Sequence, residues 1–311
     1  MRPYFELIRV YLVPTALADS WAGYFIGYHL ARVSGATAEQ LGPTSPGNLV
    51  LIGLLSAASY AFGMVTNDIF DVAKDRSANR TRPIVNGEVS RNSAKCSATF
   101  LAAAAVLLAI VLDVEWYAFH LLAVIFAYNV GGKNIWGVGS LLMGSCRGLN
   151  LLTGAAAVPI ALLGANEVRL LCIPVLALGA YVAIVTSISL QEDRPYNRLV
   201  LRLTSSALLF MPVALAIWAS RLSPWGSGLE AWLNAAAFAI CLIPILRLPR
   251  EDERREGAPH PAARVVRTAL GALYFFDAGL LWCFGQREAA LGLYVLFAVG
   301  WTLKWWWLKS R

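Results

Sequence analysis

Charged residues are scarce in this chain. They make up 14% of the 311 residues, against 58% hydrophobic residues and a mean hydropathy of +0.58, whereas a soluble domain carries about 25% charged residues. This composition excludes an ordinary soluble domain. It predicts an all-α, polytopic helical bundle whose surface faces the lipid bilayer.

Cysteine and histidine are also few, and neither is clustered. The five cysteines show no C-x-x-C spacing and the three histidines are scattered, so a disulfide framework, a zinc site and a catalytic triad are not indicated. The phosphate-binding pattern G-x-x-x-x-G-K-[ST] is absent from the sequence. The basic residues behind the net charge of +7 are divided among several connections, so no nucleic-acid partner is expected.

Long apolar stretches dominate the sequence instead of these motifs. A membrane span needs about 20 apolar residues, and the pattern predicts a single membrane domain, 1–311, of nine to ten transmembrane helices. The first stretch begins within ten residues of Met1 and lacks a small-residue cleavage site, so we expect it to be retained as a helix. The ten stretches are roughly 8–30, 48–66, 96–113, 115–131, 138–163, 170–190, 203–221, 229–246, 267–284 and 288–307.

Basic residues follow the second, sixth and eighth stretches, whereas the intervening connections hold at most a lone arginine. The positive-inside rule therefore predicts that both termini and every even-numbered connection lie in the cytoplasm, for a protein of the inner cell membrane. The basic residues are Lys74, Arg76, Arg80, Arg82, Arg91 and Lys95, then Arg194, Arg198 and Arg202, then Arg247, Arg250, Arg254, Arg255 and Arg264.

An acidic motif lies where the second stretch meets water. Asn67, Asp71 and Asp75 recur at a four-residue spacing, which places them on one helix face, and Asp68 is adjacent. Oxygen ligands of this kind suit a hard cation such as Mg2+, which shares its coordination shell with substrate phosphates. The motif therefore predicts metal ligands at Asn67, Asp68, Asp71 and Asp75. We expect a substrate diphosphate to bind the same metal ion.

A second polar cluster, Glu192, Asp193 and Asn197, follows the sixth stretch. Four spans separate the two clusters, so they lie on the same side of the membrane and together could hold two ions around one diphosphate. We predict that these three residues also bind metal. Asn197 stands where a second full acid would be expected.

Ionisable residues inside the spans are functional by default, because charge is costly in a bilayer. Arg147 must face a cavity or an acid. Asp19 and Asp277 either serve a function or pair with a neighbouring helix. Tyr128, Asn129 and Asn150 either serve a function or form hydrogen bonds between helices.

The first motif and the segment after it, Arg80-Thr-Arg82-Pro83-Ile-Val-Asn-Gly87-Glu-Val-Ser90, resemble the UbiA superfamily of intramembrane prenyltransferases. Tyr128-Asn129 with Lys133, and the segment 144–154, resemble that family's fourth and fifth helices. The likeness covers roughly residues 5–285. The last stretch, about 288–307, would be an additional helix, and the pattern is closest to the divergent branch of ebo-type clusters.

This resemblance implies Mg2+-dependent transfer of a prenyl group from a polyprenyl diphosphate to a small-molecule acceptor, often aromatic, with the apolar spans housing the prenyl tail. It implies that the catalytic residues are Asp71, Asp75, Lys133 and Arg147. The residues implied to bind the diphosphate are Asn67, Arg76, Arg80, Arg82, Tyr128, Lys133 and Asn150.

Other functions remain open at this point. A non-catalytic UbiA-like binding or scaffold protein would tolerate the weakened second motif. A CDP-alcohol phosphotransferase would need a D-x-x-D-G pattern, whereas Val72 follows Asp71 here. An ion-coupled transporter would place its acids near the midplane of the membrane rather than at its boundary.

Overall fold

Long helices joined by short connections account for most of the residues that the computed structural model describes, which are 2–41, 46–78, 80–135, 137–192, 197–226, 228–246 and 260–309. We number the ten long helices of these ranges in chain order, and α9 is in two parts. They are α1 (Val13–Val33), α2 (Pro46–Phe70), α3 (Arg91–Val111), α4 (Glu115–Val130), α5 (Val138–Ala156), α6 (Ala165–Ser189), α7 (Arg198–Ile217), α8 (Gly228–Leu246), α9 (Pro261–Gly271 and Leu273–Cys283) and α10 (Arg287–Lys309).

The predicted all-α membrane bundle is confirmed, and each predicted apolar stretch overlaps one helix of the structure. Within the described ranges, seven helices are long and apolar enough to cross a membrane: α2, α3 and α6 to α10, with α7 continuing as a π-helix to Leu222. Of the other three, α4 has only 16 residues, whereas α1 and α5 carry charged or amide side chains. The number of membrane crossings stays a prediction.

Large apolar side chains cover the outer surface of the bundle. Leu107, Leu176 and Phe210 are 64%, 70% and 70% exposed, and exposed apolar surface on this scale indicates contact with lipid. The interior is organised around the second part of α9, in which every residue from Leu273 to Cys283 is buried. This segment packs against α1, α7, α8 and α10.

The start of the first span differs from the sequence prediction of one helix from residue 8. Arg9 has a left-handed backbone with φ 48°, a short 3-10 turn follows at Val10–Leu12, and α1 begins only at Val13. Pro14 lies in the first turn of α1, where its fixed φ is favourable. The break places Arg9 outside α1, at the end of the bundle where α2 terminates.

Glycine brings α1 and α5 unusually close together. A Cβ atom at Gly23 would clash with the backbone carbonyl of Leu151, and one at Gly154 would clash with that of Ser20. Small residues permit such backbone contact between membrane helices. The close approach sets the polar side chains of α1 and α5 against each other.

The first acidic motif defines one end of the bundle, which we call the motif end. The α2 helix ends at Phe70, Asp71 follows it, and a short helix, Val72–Ser77, continues the chain. Backbone hydrogen bonds run through the junction, from the Asp71 N–H to the Asn67 carbonyl and from the Asp75 N–H to the Asp71 carbonyl. The motif therefore keeps a nearly helical register beyond the end of α2.

Candidate active site

A cavity of about 330 Å3 lies inside the bundle, between α1, α2, α4, α5, α6 and α9. This volume falls in the range of small-molecule pockets, roughly 300–1,000 Å3. Most of the lining side chains are apolar, and Arg9, Asn67 and Tyr128 mark its motif end. Its other polar lining residues are Thr15, Ser56, Ser59, Asn129, Arg147, Asn150, Thr186 and Ser189.

Lys133 unites two residues of the first motif. Its Nζ lies 2.7 Å from Asp71 Oδ2 and donates a hydrogen bond of 2.9 Å to Asn67 Oδ1. Lys133 is in the connection between α4 and α5, so the contact joins that connection to the end of α2. The four-residue spacing predicted a common face for Asn67, Asp71 and Asp75, and the structure brings the first two of these together at Lys133.

Asp68 points elsewhere. Its carboxylate is buried and pairs with Arg9, whose Nη2 lies 3.2 Å from Asp68 Oδ1. Arg9 is the main residue of this site that the sequence analysis missed. It is separated from Asp68 by 59 residues, and the only available signal was a cation at the start of the first apolar stretch.

Asp75 belongs to a third ionic group. It is 3% exposed, and its carboxylate oxygens lie 3.4 Å from Arg80 Nη1 and 3.8 Å from Arg82 Nε. Asp75 therefore organises the segment that follows the motif and does not share the Lys133 contact. Arg76, on the short helix after Asp71, is exposed.

The side-chain oxygens that contact Lys133 are of the type that binds a hard metal ion. Asn67 Oδ1 and Asp71 Oδ2 both face the same ammonium group, and neutral and anionic oxygens are the ligands that Mg2+ prefers. Within the described ranges, no three acidic, histidine or cysteine side chains converge as a ready metal cage. A divalent ion would therefore compete with Lys133 for these two oxygens and take further ligands from water and substrate.

The second motif is only partly described. Asp193 lies outside the described residues, and Glu192 follows α6 in a half-buried position. Asn197 is exposed and is the N-cap of α7, where its Oδ1 accepts a 3.1 Å hydrogen bond from the Val200 N–H. The side-chain oxygen predicted to bind metal thus satisfies a helix terminus, as an N-cap Asn commonly does.

Arg147 faces both an acid and the cavity. Its Nε lies 2.7 Å from Asp19 Oδ2, and its Nη2 donates 2.8 Å hydrogen bonds to Asp19 Oδ1 and to the Thr15 carbonyl. The side chain is 12% exposed and lines the inner part of the cavity. The requirement that this cation meet an acid or a cavity is fulfilled on both counts.

Asn150 and Asn129 both form hydrogen bonds between helices, which is one of the two alternatives that the sequence left open. Asn150 Nδ2 donates to the Ala16 carbonyl at 2.8 Å and to Asp19 Oδ2 at 3.3 Å. Asn129 Nδ2 donates to the Gly63 carbonyl at 3.0 Å and to Thr66 Oγ1 at 2.8 Å. These bonds tie α5 to α1 and α4 to α2, which are four of the six helices around the cavity.

Comparison with known proteins gives a consistent family and fold. A sequence model of the UbiA prenyltransferase family matches residues 30–259. The chain is similar to the digeranylgeranylglyceryl phosphate synthase of Sulfolobus acidocaldarius, with 25% identity over 159 residues that cover 50% of this chain and 53% of the relative. It is also similar to the protein of the same name from Thermococcus gammatolerans, with 33% identity over 112 residues covering 35% and 41%.

These matches extend over about half the length of the curated relatives or less. A solved structure from work on digeranylgeranylglyceryl phosphate synthase in membranes shares the fold over a greater length. Its TM-score is 0.58 at 19% identity, and the match covers 92% of this chain and 98% of that one. At this identity the likeness establishes the fold alone.

Proposed function

This chain belongs to the UbiA prenyltransferase family, and on that premise we propose that it transfers a prenyl group from a polyprenyl diphosphate to a small-molecule acceptor within the membrane. In this reaction the bond between the allylic carbon and the diphosphate oxygen breaks, and the diphosphate leaves with the electron pair. The acceptor forms a bond to the same carbon and loses a proton.

Lys133 is the residue on which the proposal depends. Its ammonium holds Asn67 and Asp71 together, and Asn67 lies at the motif end of a cavity whose lining surface is mainly apolar. A diphosphate with a long apolar tail requires this arrangement of charge at one end and hydrocarbon-lined space behind it. An exposed acidic loop without a function would not need a half-buried lysine that contacts two of its residues.

Asn67 and Asp71 are the proposed ligands of a first Mg2+ ion, with Asp68 and Asp75 as supporting members of the motif. When bound, Mg2+ neutralises part of the charge that develops on the departing diphosphate. For a second ion we propose Glu192, Asp193 and Asn197. The cap role of Asn197 makes it the weakest ligand of that set.

The cations of the site would exchange partners when substrate binds. Lys133 and Arg9 each hold one acid in the free protein. If Asp71 held a metal ion, the Lys133 ammonium would be available to donate to a phosphate oxygen, and Arg9 would donate from its place in the lining of the cavity. Fixed donors aimed at developing negative charge are the largest common source of catalysis, at about 2.7–4 kcal/mol for one donor.

Other residues complete the proposed diphosphate site. Arg76, Arg80 and Arg82 would gather phosphate oxygens at the motif end, since arginine binds phosphate through two parallel hydrogen bonds. Tyr128 would contact the substrate where it lines the cavity. Arg147 would act deeper, where Asp19 and Asn150 fix its direction.

Two classes of acceptor are proposed. The family resemblance suggests an aromatic acceptor, and the names of two curated relatives suggest a glyceryl phosphate lipid. The resemblance to the UbiA family is confirmed, whereas the finer likeness to ebo-type proteins stays a prediction. For the orientation we propose that the motif end and both termini face the cytoplasm, in the inner cell membrane.

The test is an assay of purified protein in lipid nanodiscs with Mg2+ and a panel of allylic diphosphates of increasing chain length. Aromatic acceptors and glyceryl phosphate lipids are supplied in separate reactions, and diphosphate release and product mass are measured. We expect Mg2+-dependent release of diphosphate coupled to one acceptor class. If folded protein consumes no donor in any combination, the transferase proposal is wrong and the non-catalytic binding protein becomes the better interpretation.

A further inference from the structure

Two aspartates and one arginine meet between α1, α5 and α9, apart from the first motif. Asp19 and Asp277 are both 0% exposed, and Arg147 is paired with Asp19. Asp277 lies on the part of α9 that packs against α1, the helix that carries Asp19, and the side chains of the two acids interact with each other. The bundle interior therefore holds two acids against one base.

Asp19 has the surroundings of an ionised carboxylate. Both of its oxygens contact the Arg147 guanidinium, at 2.7 Å from Nε and 2.8 Å from Nη2. Asn150 Nδ2 donates a second hydrogen bond, 3.3 Å long, to Oδ2. A carboxyl group that accepts hydrogen bonds from two side chains and forms an ion pair with one of them is stabilised as the anion.

Asp277 has the opposite environment. Among the described residues, no donor reaches either of its carboxyl oxygens. The groups that interact with it electrostatically are Asp19, Arg147, Tyr181 and Tyr274, and the Tyr181 hydroxyl donates to the Ala269 carbonyl instead. An ionised carboxylate without a donor is costly to bury, and such a group takes up a proton instead.

We propose that Asp277 is a neutral carboxylic acid whose O–H donates to the Asp19 carboxylate, so that the acid pair carries one negative charge and balances Arg147. The hydroxyl oxygen of a neutral Asp277 needs no donor, because it carries the proton that Asp277 donates. The net charge of the three-residue cluster is then zero inside the membrane bundle. Its members come from three separate helices.

The shared proton has a positioning role. Asp19 aims the Arg147 guanidinium, and Asp277 in turn holds Asp19 from the side of α9, the helix whose Val266, Leu270 and Leu273 line the cavity. Asp277 does not line the cavity itself. It is thus a positioning residue that acts on the substrate site only through Asp19 and Arg147.

The first test is spectroscopic and does not depend on the proposed transferase function. Infrared spectra of the purified protein in nanodiscs at neutral pH are expected to show the C=O stretch of a protonated carboxylic acid, which shifts on exchange into D2O and on labelling aspartate with 13C at the carboxyl carbon. Absence of this band in the wild-type protein would overturn the proposal, whatever the variants do.

Two substitutions locate the proton. Asp277→Asn removes the acid and keeps an N–H donor of the same shape, so the band should vanish while the protein stays folded. Asp19→Asn leaves Arg147 without its anion, so Asp277 should ionise to replace it and the band should vanish again. A band that survives in either variant contradicts a shared proton.

Asp113→Asn is the matched control, because Asp113 is exposed and its left-handed backbone, φ 56°, is one that asparagine tolerates. This variant should keep the band unchanged. Loss of the band in Asp113→Asn would show that the signal does not come from the buried pair.

A second, kinetic test rests on the proposed function. Asp277→Asn should retain most of the wild-type kcat/KM, since the amide still donates to Asp19, whereas Asp277→Leu should raise KM by loosening Arg147. Equal losses in the two variants would argue against a positioning role. Failure of the proposed function would leave all variants inactive but would not alter the infrared result.

Discussion

Replacement of Lys133 by methionine separates the two roles that we propose for this side chain. Methionine keeps the length and apolar stem but removes the ammonium that contacts Asp71 at 2.7 Å and Asn67 at 2.9 Å. In the free protein we expect the ammonium to compete with a metal ion for these oxygens. In the reacting complex it is expected to donate to the diphosphate.

The two roles predict opposite effects. Loss of a fixed donor to the leaving group should lower kcat by about 10²–10³-fold. Loss of the competing cation should strengthen Mg2+ binding to the protein without substrate. The side chains of the pair are 13% and 19% exposed, and a charged hydrogen bond of this kind contributes about 1.5 kcal/mol, which corresponds to about tenfold tighter binding.

Turnover is measured with a saturating allylic diphosphate, and Mg2+ binding is measured by titration calorimetry in the absence of diphosphate. Lys95→Met is the matched control, because Lys95 is an exposed lysine of α3 that takes no part in the site. It should leave both quantities unchanged. If Lys133→Met retains wild-type turnover, or binds Mg2+ more weakly, the proposed exchange of partners is wrong.

The remaining predictions concern the metal ligands and the orientation. Asp71→Asn should abolish Mg2+-dependent turnover and leave the protein folded; retained activity would remove Asp71 from the site. Asn197→Asp should lower the Mg2+ concentration for half-maximal activity without loss of stability, because aspartate is an equally good N-cap; a higher requirement would count against a second ion. A cysteine at Ala78 should be labelled by an impermeant maleimide only from the cytoplasmic side, and one at Asn166 only from outside; the reverse pattern would overturn the proposed orientation.

Local spacing explains what the sequence could predict of this site. Asn67 and Asp71 are one helical turn apart, so their common face follows from helix geometry alone. Arg147 lies within an apolar stretch, so the energetic cost of its charge required a partner. Such inferences need no knowledge of which helices are neighbours.

The partners themselves could not be predicted. Arg9 meets Asp68 across 59 residues and Arg147 meets Asp19 across 128, and both contacts depend on how α1 packs against its neighbours. The break before Val13 and the close glycine contact between α1 and α5 decide that packing. The division of the first motif among three ionic groups also follows from tertiary structure, since the four-residue spacing alone treats its members as equivalent.

The pairing of Arg9 with Asp68 and of Lys133 with Asp71 has a consequence for a protein that is surrounded by phospholipids. An unpaired cation at the mouth of an apolar cavity would attract any anionic headgroup with two acyl chains, and such lipids vastly outnumber an isoprenoid donor. Neutral pairs offer a single phosphate little gain, whereas a metal-bound diphosphate can engage acid and cation together. We therefore expect Asp68→Asn to co-purify with more anionic phospholipid than the wild type by native mass spectrometry, and equal lipid retention would show that the pairs do not exclude the surrounding lipids from the cavity.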